Sequence, residues 1–512
     1  MAEPFYVTTA ISYPNGRPHI GHAYEAIAAD AIARFQRQAG RDVLFQTGTD
    51  EHGLKMVQAA RERGMETRAL ADEMSALFKA MDDRLDISYD RFIRTVEPAH
   101  HTASVAIWEA MAATGDLYPD RYEGWYSVRD EAFYDEKELI DGEGGEKLSP
   151  QGTPVDWTAE ETWFFRLSKY RQPLLDHYAA HPGFIRPDAR RNEVLRFVEG
   201  GLSDLSVSRT SFDWGVKVPG SPGHVMYVWV DALTNYLTGA GYPADRAAMA
   251  RHWPADLHLI GKDIVRFHAV YWPAFLMSAG LALPKTVFGH GFLLHRGEKM
   301  SKSIGNVVDP IALADAFGVD ALRYFLLREV SFGQDGSYSA EAIVTRVNAE
   351  LANAFGNLAQ RTLSFIAKNC DGVVPTDGTP EPADAALLAS IAATGDEFRA
   401  LFADLALSQA VEAWLRGVFA GNAYIDVQAP WALRKTDPAR MNAVLATLVR
   451  AIRDLAILIL PVIPGAAGKV LDQLGAGARD HAALGLGDLP ARISPPSPIF
   501  PRLDAPVADA VS

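Results

Sequence analysis

Two short segments carry side chains suited to handling phosphate. In "HIGH", His19 and His22 flank Ile20 and Gly21 at the entrance of an alanine-rich helical pattern, where backbone N–H groups and the helix dipole favour an anion. Far downstream, "GEKMSKSIGN" sets Lys299, Ser301 and Lys302 in a loop of serines and glycines, whose flexible ammonium groups can follow phosphates during a reaction. Each segment alone has an ordinary explanation: His19 as a helix cap with His22 as packing, and the lysine loop as a solvated turn. Together in one chain and in this order, they point to nucleotide chemistry. A third segment, "TGTDEHG", places Asp50, Glu51 and His52 beyond an apolar run, at the strand end where an open parallel sheet presents its ligands.

The elements that must position these residues follow from the pattern around them. Residues 5–12 read as a buried strand, closed by "YPNGRPHIGH" and followed by a helix to residue 39; "RDVLFQTG" repeats the strand, and a helix starts near Leu54. Strand, turn, helix is the opening of an α/β nucleotide-binding unit. Between residues 118 and 222 the texture turns aromatic, charged and glycine-rich, which predicts an inserted module of short strands and loops rather than long helices. The α/β texture returns at "VMYVWVDALTNYL" and "DLHLIGKDIVRFHAVYWPAF", each a strand running into a helix. From residue 311 to about 474 the pattern is almost wholly helical and predicts a bundle, with the proline-rich tail "ISPPSPIFPRLDAP" running over the surface. The expected boundaries are 1–117 and 223–275 for a Rossmann-like parallel-sheet domain, 118–222 for the insertion, 276–340 for a region carrying the lysine loop, and 341–512 for the α-helical domain.

Composition narrows the class. A chain of 512 residues is too long for one ordinary core and predicts about two to four domains. Its apolar stretches are broken by charges, as in "LVRAIRDLAILILPVIPG", so no membrane span is expected. The start lacks a basic segment followed by an apolar core, and a cytoplasmic address is expected. A single cysteine, Cys370, excludes an intrachain disulfide and a cysteine-only zinc site. The formal net charge of -15 argues against indiscriminate coating of nucleic acid but leaves room for a local basic groove.

The intact "HIGH" and "KMSKS" segments resemble the two signatures of the class I aminoacyl-tRNA synthetases. The run from "AISYPNGRPHIGH" through "TGTDEHG", "YVWVDAL", "IGKDIVRFH", "NLAQR" and "APWALRK" resembles the bacterial methionyl branch along nearly the whole chain. The resemblance implies a two-step ligase: ATP, carried with Mg2+, and methionine give methionyl-adenylate, and the methionyl group then passes to the 3′ end of tRNA(Met). It assigns ATP binding to His19, Gly21, His22, Lys299, Ser301 and Lys302, with His19, His22, Lys299 and Lys302 as the catalytic group. Because the substrate carboxylate attacks the α-phosphorus directly, such an enzyme needs positioning and preorganised positive charge, not a nucleophile of its own. The methionine pocket is implied at Ala10, Ile11, Tyr13, Trp229, Ala232, Leu233, Tyr236 and His268, with Asp50 receiving the substrate ammonium. Residues 276–340 become a stem-contact region and 341–512 an anticodon-binding domain, in which Asn357, Arg361 and Trp431 match the family's readers of CAU. An i, i+4 pair on one helix face with an indole nearby suits splayed bases.

Departures and alternatives also shape the expectation. Many methionyl enzymes hold zinc in cysteine knuckles of the insertion; here Ser127 and Asp130 stand where one Cys-x-x-Cys pair is expected, and "LSPQGTP" has no cysteine. That set is a poor zinc site, so no structural zinc is expected and the insertion should be held by packing that includes Trp125, Tyr126 and Trp157. An insertion of roughly a hundred residues is too small for the independent editing domain of the isoleucine, valine and leucine enzymes, and Cys370 alone cannot supply the substrate-binding zinc of cysteinyl enzymes. A small-molecule nucleotidyltransferase and an inactive synthetase-derived binding protein remain as alternatives, opposed by the long helical region and by the four intact signature residues. The chain ends soon after that region, without the module that dimerises some relatives, so a monomer is expected.

Overall fold

The computed structural model describes residues 2–130, 132–142, 145–295, 298–299 and 308–504. Its centre is a six-stranded parallel sheet in the order Arg91–Arg94, Asp42–Thr49, Pro4–Thr9, Leu257–Gly261, Val287–His290 and Ile185–Arg186. The first strand, Pro4–Thr9, is flanked on one side by the next strand in sequence and on the other by one from far downstream. Strand order therefore reverses there, and a crevice opens at the carboxyl ends of Pro4–Thr9 and Leu257–Gly261, the place where such sheets hold ligands. Helix Ile20–Gln38 packs on the sheet through an apolar face that includes Ile20, Ile27 and Ile32, with small alanines letting helix and sheet approach.

The insertion is built on an antiparallel pair, Leu117–Ser127 against Asp156–Phe165, edged by Ala132–Tyr134 and Leu205–Ser206. The expectation of strands and loops alone fails beyond it. Residues Arg171–Ala180 and Asp188–Glu199 are helices, and between them Ile185–Arg186 leaves the module to become the edge strand of the central sheet. Their burial runs through Leu174 with Tyr178 and Val194 with Val198, one i, i+4 pair per helix, a stripe too thin to stand out among charges. Trp157 also departs from its expected packing role: it is 58% exposed and meets only the edge of Trp125, whereas Tyr126 is buried. In "VMYVWVDAL" the strand shrinks to Val225–Met226, and the helix begins already at Val228.

Beyond the lysine loop the chain is helical from Pro310–Phe317 to Pro464–Leu474, interrupted by strand Gly336–Tyr338, which pairs with Leu293–His295. Pro438–Ile459 is the central helix of the bundle, buried from Val444 to Ile459 along most of its length. The bundle is not a separate core. Phe5, Ile27 and Phe35 of the sheet domain and Leu448, Ile452 and Ile459 of the bundle share one continuous apolar cluster. The proline-rich tail is more firmly seated than a surface run: Ile493 and Ile499 are buried, Gln473 donates to the Ser497 carbonyl, and Asn348 and Leu503 exchange two hydrogen bonds.

One buried ion pair joins the two parts. Arg323, on helix Val319–Glu329, is fully enclosed; it lies 2.5 Å from Asp30 of helix Ile20–Gln38 and also donates to the carbonyls of Leu85, Pro461 and Val462. Asp30 further accepts from Arg34 and from the backbone and hydroxyl of Ser88. Burial alone would raise the Asp30 carboxyl, but Arg323, Arg34 and the Ser88 hydrogen bonds outweigh it and hold the acid below its usual range. Removing one partner strands the other charge. Arg323→Met is expected to cost about 3–5 kcal/mol of stability, with much of it recovered in the double variant Asp30→Asn/Arg323→Met; denaturant unfolding of the single and double variants measures both.

Candidate active site

A cavity of about 430 Å³ occupies the crevice at the strand ends. Its floor and walls come from the carboxyl ends of the strands and the segments just past them: Ala10 to Tyr13 after Pro4–Thr9, Asp50 after Asp42–Thr49, Gly261 and Asp263 at the end of Leu257–Gly261, and Gly291 after Val287–His290. The structure brings His19, Gly21 and His22 and all nine expected pocket residues, Ala10, Ile11, Tyr13, Asp50, Trp229, Ala232, Leu233, Tyr236 and His268, to this one cavity.

The two signature histidines cap the helix and face the cavity at once. His19 is the N-cap; its Nδ1 accepts from the Gly21 N–H at 3.1 Å, while the Nδ1 of His22 accepts from the His19 N–H at 3.1 Å. A backbone N–H can only donate, so neither Nδ1 carries a proton. Both rings are therefore neutral with their hydrogen on Nε2, the arrangement that donates to a phosphate oxygen. Gly21 is required by this closeness: a Cβ there would sit 2.9 Å from Cε1 of His19. The ordinary reading of His19 as a cap is thus compatible with anion binding, because the cap is what orients the ring.

The opposite wall is mainly aromatic. Trp229 stacks on Phe267 with centroids 3.8 Å apart, and His268 stands edge-on to Trp229. His268 donates from Nδ1 to the Ile264 carbonyl at 2.9 Å and accepts the Tyr236 hydroxyl at Nε2, 2.7 Å away. Burial pushes the His268 ring down to about 4, so it is neutral near pH 7. Asp50 brings an acid to this wall, 7% exposed and held at the end of its strand by a bond from its own N–H to the Ser12 carbonyl. Its neighbours are tied outward: Glu51 pairs with Arg94, and His52 bonds Asp231, which also holds His100 at 2.7 Å. The turn is rigid, and Asp50 is the residue it presents to the cavity.

Several lining residues escaped the sequence reading. Glu25 accepts from the Ala10 N–H and from His290 Nε2 at 2.8 Å; burial lowers the His290 ring, but the contact with Glu25 overcomes this and raises it. Asp263 and Arg129 also line the cavity. A signal existed for three of them: Glu25 lies three residues past His22 on the same helix face, and His290 and Asp263 sit at strand ends. For Arg129 there was none, because only the folded insertion carries it to the cavity.

Lys299 ends the short strand Glu298–Lys299, paired with Leu294; its side chain, together with Ser301 and Lys302, lies outside the described residues. In the helical region Arg361 lies over the ring of Trp431, 5.0 Å from its centroid, and bonds Asp426 at 2.7 Å. Asn357, one turn before Arg361, is exposed, and Trp431 is 48% exposed. The three residues form a surface grouping separate from the lining of the cavity.

The insertion's former-knuckle positions form a hydrogen-bonded knot. The Oδ2 of Asp130 accepts from Ser149, Thr153 and Tyr134 at 2.7, 2.6 and 3.0 Å, and Ser127 shares a bond with Thr153 at 2.8 Å. Four hydroxyls, three of them donating to one carboxylate, offer neither thiolate nor imidazole, so this set does not fit zinc. Among the described residues no group of three or more histidine, cysteine, aspartate or glutamate side chains is placed to hold a metal ion, and no helix is long and apolar enough to cross a membrane.

Behind His22 lies a second, water-sized cavity of about 10 Å³ lined by Thr9, Ser12, Thr47, Glu25 and Asp82. Asp82 is 3% exposed and its Oδ1 has no hydrogen-bond partner. Burial, reinforced by the nearby carboxylates of Asp83, Asp30 and Glu25, pushes this acid up to about 8.

The family model for class I tRNA synthetases (M) matches residues 5–363, and that for the anticodon binding domain of methionyl tRNA ligase matches residues 374–489. A methionine–tRNA ligase of Mycobacterium tuberculosis strain H37Rv is 58% identical over 98% of this chain and 99% of its own. One from Brucella suis is 57% identical over 98% of each. Among solved structures, the M. tuberculosis methionyl-tRNA synthetase in complex with methionyl-adenylate superposes with a TM-score of 0.95 at 58% identity, covering 98% of this chain and 100% of that one. The apo form of the enzyme from the same organism gives 0.89 at 54% identity, covering 99% of each.

The buried acid behind His22 makes stability depend on pH with a definite sign. The unfolded chain releases the Asp82 proton near 3.8 and the folded protein only near 8, so stability is lost as pH rises between these values. Asp82→Asn cannot ionise. Its stability relative to the parent is expected to grow by roughly 2–4 kcal/mol between pH 5 and pH 8, read from denaturation midpoints at the two pH values; a difference that stays constant with pH counts against the buried proton.

Proposed function

The chain belongs to the class I tRNA synthetases of the methionyl type, and from that membership we propose how its own residues divide the work. It joins methionine to tRNA in two steps, first activating methionine with ATP to methionyl-adenylate and then transferring the methionyl group to the 3′ end of tRNA(Met). The observation that carries this reading is the meeting, in one cavity at the sheet's switch point, of a helix N-terminus capped by two Nε2–H imidazoles with a neutral aromatic wall and a buried aspartate.

Methionine sits with its thioether among Trp229, Tyr236, Leu233 and His268, where polarizable sulfur meets aromatic edges and no charge. Asp50 receives the ammonium. This leaves the substrate carboxylate toward the signature helix. There His19 and His22 donate to the phosphate oxygens of ATP, adding to the positive end of the helix. The carboxylate oxygen forms a bond to the α-phosphorus as the bond to pyrophosphate breaks. Lys299 and Lys302 follow the departing charge, and Mg2+ carried by ATP supplies further charge neutralisation when bound. Neutral histidines suit this task, since they bind the nucleotide by hydrogen bonds without holding it by full charge.

The exposed grouping of Asn357, Arg361 and Trp431 reads the CAU anticodon, with the indole as a stacking platform and the guanidinium oriented over it. The insertion of 118–222 and the region 276–340 serve the acceptor arm between these two sites, and the protein works as a cytoplasmic monomer. The hydrogen-bonded knot of Ser127, Asp130, Ser149 and Thr153 makes this insertion independent of zinc.

ATP–pyrophosphate exchange by purified protein with Mg2+ and no added zinc, run with each standard amino acid, is expected to respond to methionine alone; exchange with another amino acid overturns the pocket, and none at all favours a non-catalytic descendant. Trp431→Ala is expected to leave this exchange within about twofold of the parent and to cut aminoacylation by tenfold or more, as loss of a stacked base of roughly 1–3 kcal/mol requires. Equal losses in the two assays count against the anticodon role.

A further inference from the structure

Arg129 is the insertion's one arginine on the lining of the catalytic cavity, and the mechanism above leaves it without a task. It is solvent-exposed and makes no hydrogen bond or ion pair with any described residue. Its position is nonetheless built. Asp130, next in sequence, is fastened by three donors to buried Ser149, Thr153 and Tyr134, and its own N–H donates to Ser127. The Oδ2 of the carboxylate beside Arg129 is therefore taken up by the module, and Arg129 borders the cavity next to it. A second tie fixes the module to the aromatic wall, where Glu138 bonds Arg266, the residue preceding Phe267.

The surroundings call for such a cation. Glu25, Asp50, Asp130 and Asp263 line the same cavity, and the chain as a whole is acidic. In the transfer step the terminal ribose hydroxyl must reach the methionyl carbonyl inside this cavity. The ester C–O bond forms, the mixed-anhydride bond to phosphate breaks, AMP leaves with the electron pair, and the hydroxyl proton passes to it. While that happens the preceding phosphodiesters lie at the mouth, against acidic walls. The phosphates of ATP have the signature helix and the lysine loop; a strand arriving from solvent past the aromatic wall has the insertion.

We propose that Arg129 binds a backbone phosphodiester of the tRNA 3′ end and so holds the terminal hydroxyl at the adenylate, a role that rests on the function proposed above. The hydrogen-bonded knot is then the scaffold that presents this guanidinium, whose planar fork suits a phosphate better than an ammonium does. The residue takes no part in activation.

Rapid-quench transfer from preformed enzyme-bound methionyl-adenylate to tRNA, measured over a range of tRNA and salt concentrations beside ATP–pyrophosphate exchange, tests this on the full-length protein. Arg129→Ala is expected to slow transfer at subsaturating tRNA by roughly tenfold and to flatten its logarithmic salt dependence by about one unit, far beyond any change in exchange. Arg129→Lys should restore most of the salt dependence and only part of the rate. Transfer that keeps its rate and salt slope in Arg129→Ala overturns the proposal; so does a parallel fall in exchange, which would assign the guanidinium to the phosphates of ATP. Failure of the parent protein to exchange pyrophosphate with methionine is a separate outcome, and it removes the function on which the proposal rests.

Discussion

The buried pair of Asp30 and Arg323 sets the frame for everything else. Asp30 lies on the helix whose first turn carries His19 and His22, and Arg323 lies on a helix beyond the lysine loop whose other bonds reach Pro461 and Val462 at the end of the bundle's central helix. A charge in a fully enclosed place must be answered by another in good geometry, or folding bears a desolvation cost of several kcal/mol. That requirement permits one relative placement of the signature helix, Leu85 and the bundle. The continuous apolar core around the pair supplies most of the stabilisation, while the pair supplies the register. A helix fixed at its middle is fixed at its start, and the start is what His19 and His22 present to the cavity.

From that helix outward, the site works by keeping its groups neutral except where charge is useful. The capping bonds consume both Nδ1 atoms and leave two Nε2–H donors. Burial keeps His268 neutral in the aromatic wall. Even Asp82, directly behind His22, is pushed up to about 8 because burial, and then its acidic neighbours, disfavour its ionisation. Against this background the Asp50 side chain, 7% exposed, sits in a medium that screens charge weakly. In the insertion, one carboxylate oxygen that accepts from three hydroxyls braces the loop by hydrogen bonds.

The strand ends, the signature helix and the helical run were legible in the sequence because apolar periodicity and turn residues report local structure directly. The pocket residues were legible only through resemblance, since Trp229 and Tyr236 look like ordinary core aromatics in isolation, and their stacking on Phe267 and bonding to His268 depend on segments some thirty residues on. The two helices of the insertion were missed because each buries only one i, i+4 pair. Strand Ile185–Arg186 was missed because two residues of parallel edge strand carry no pattern of their own; their place is set by Val287 and Phe288.

The sequence by itself determined the class of chemistry, since the residue types and order of "HIGH", "TGTDEHG" and "KMSKS" are contiguous and survive without a fold to display them. It also excluded a cysteine-only zinc site, a matter of counting one cysteine. Only the tertiary structure decided which nitrogen of each signature histidine holds its proton, that Glu25 and His290 share the site, and that Arg129 reaches it. These depend on hydrogen bonds and closures between parts of the chain far apart in sequence. Such contacts follow from packing the whole core, which no local pattern encodes.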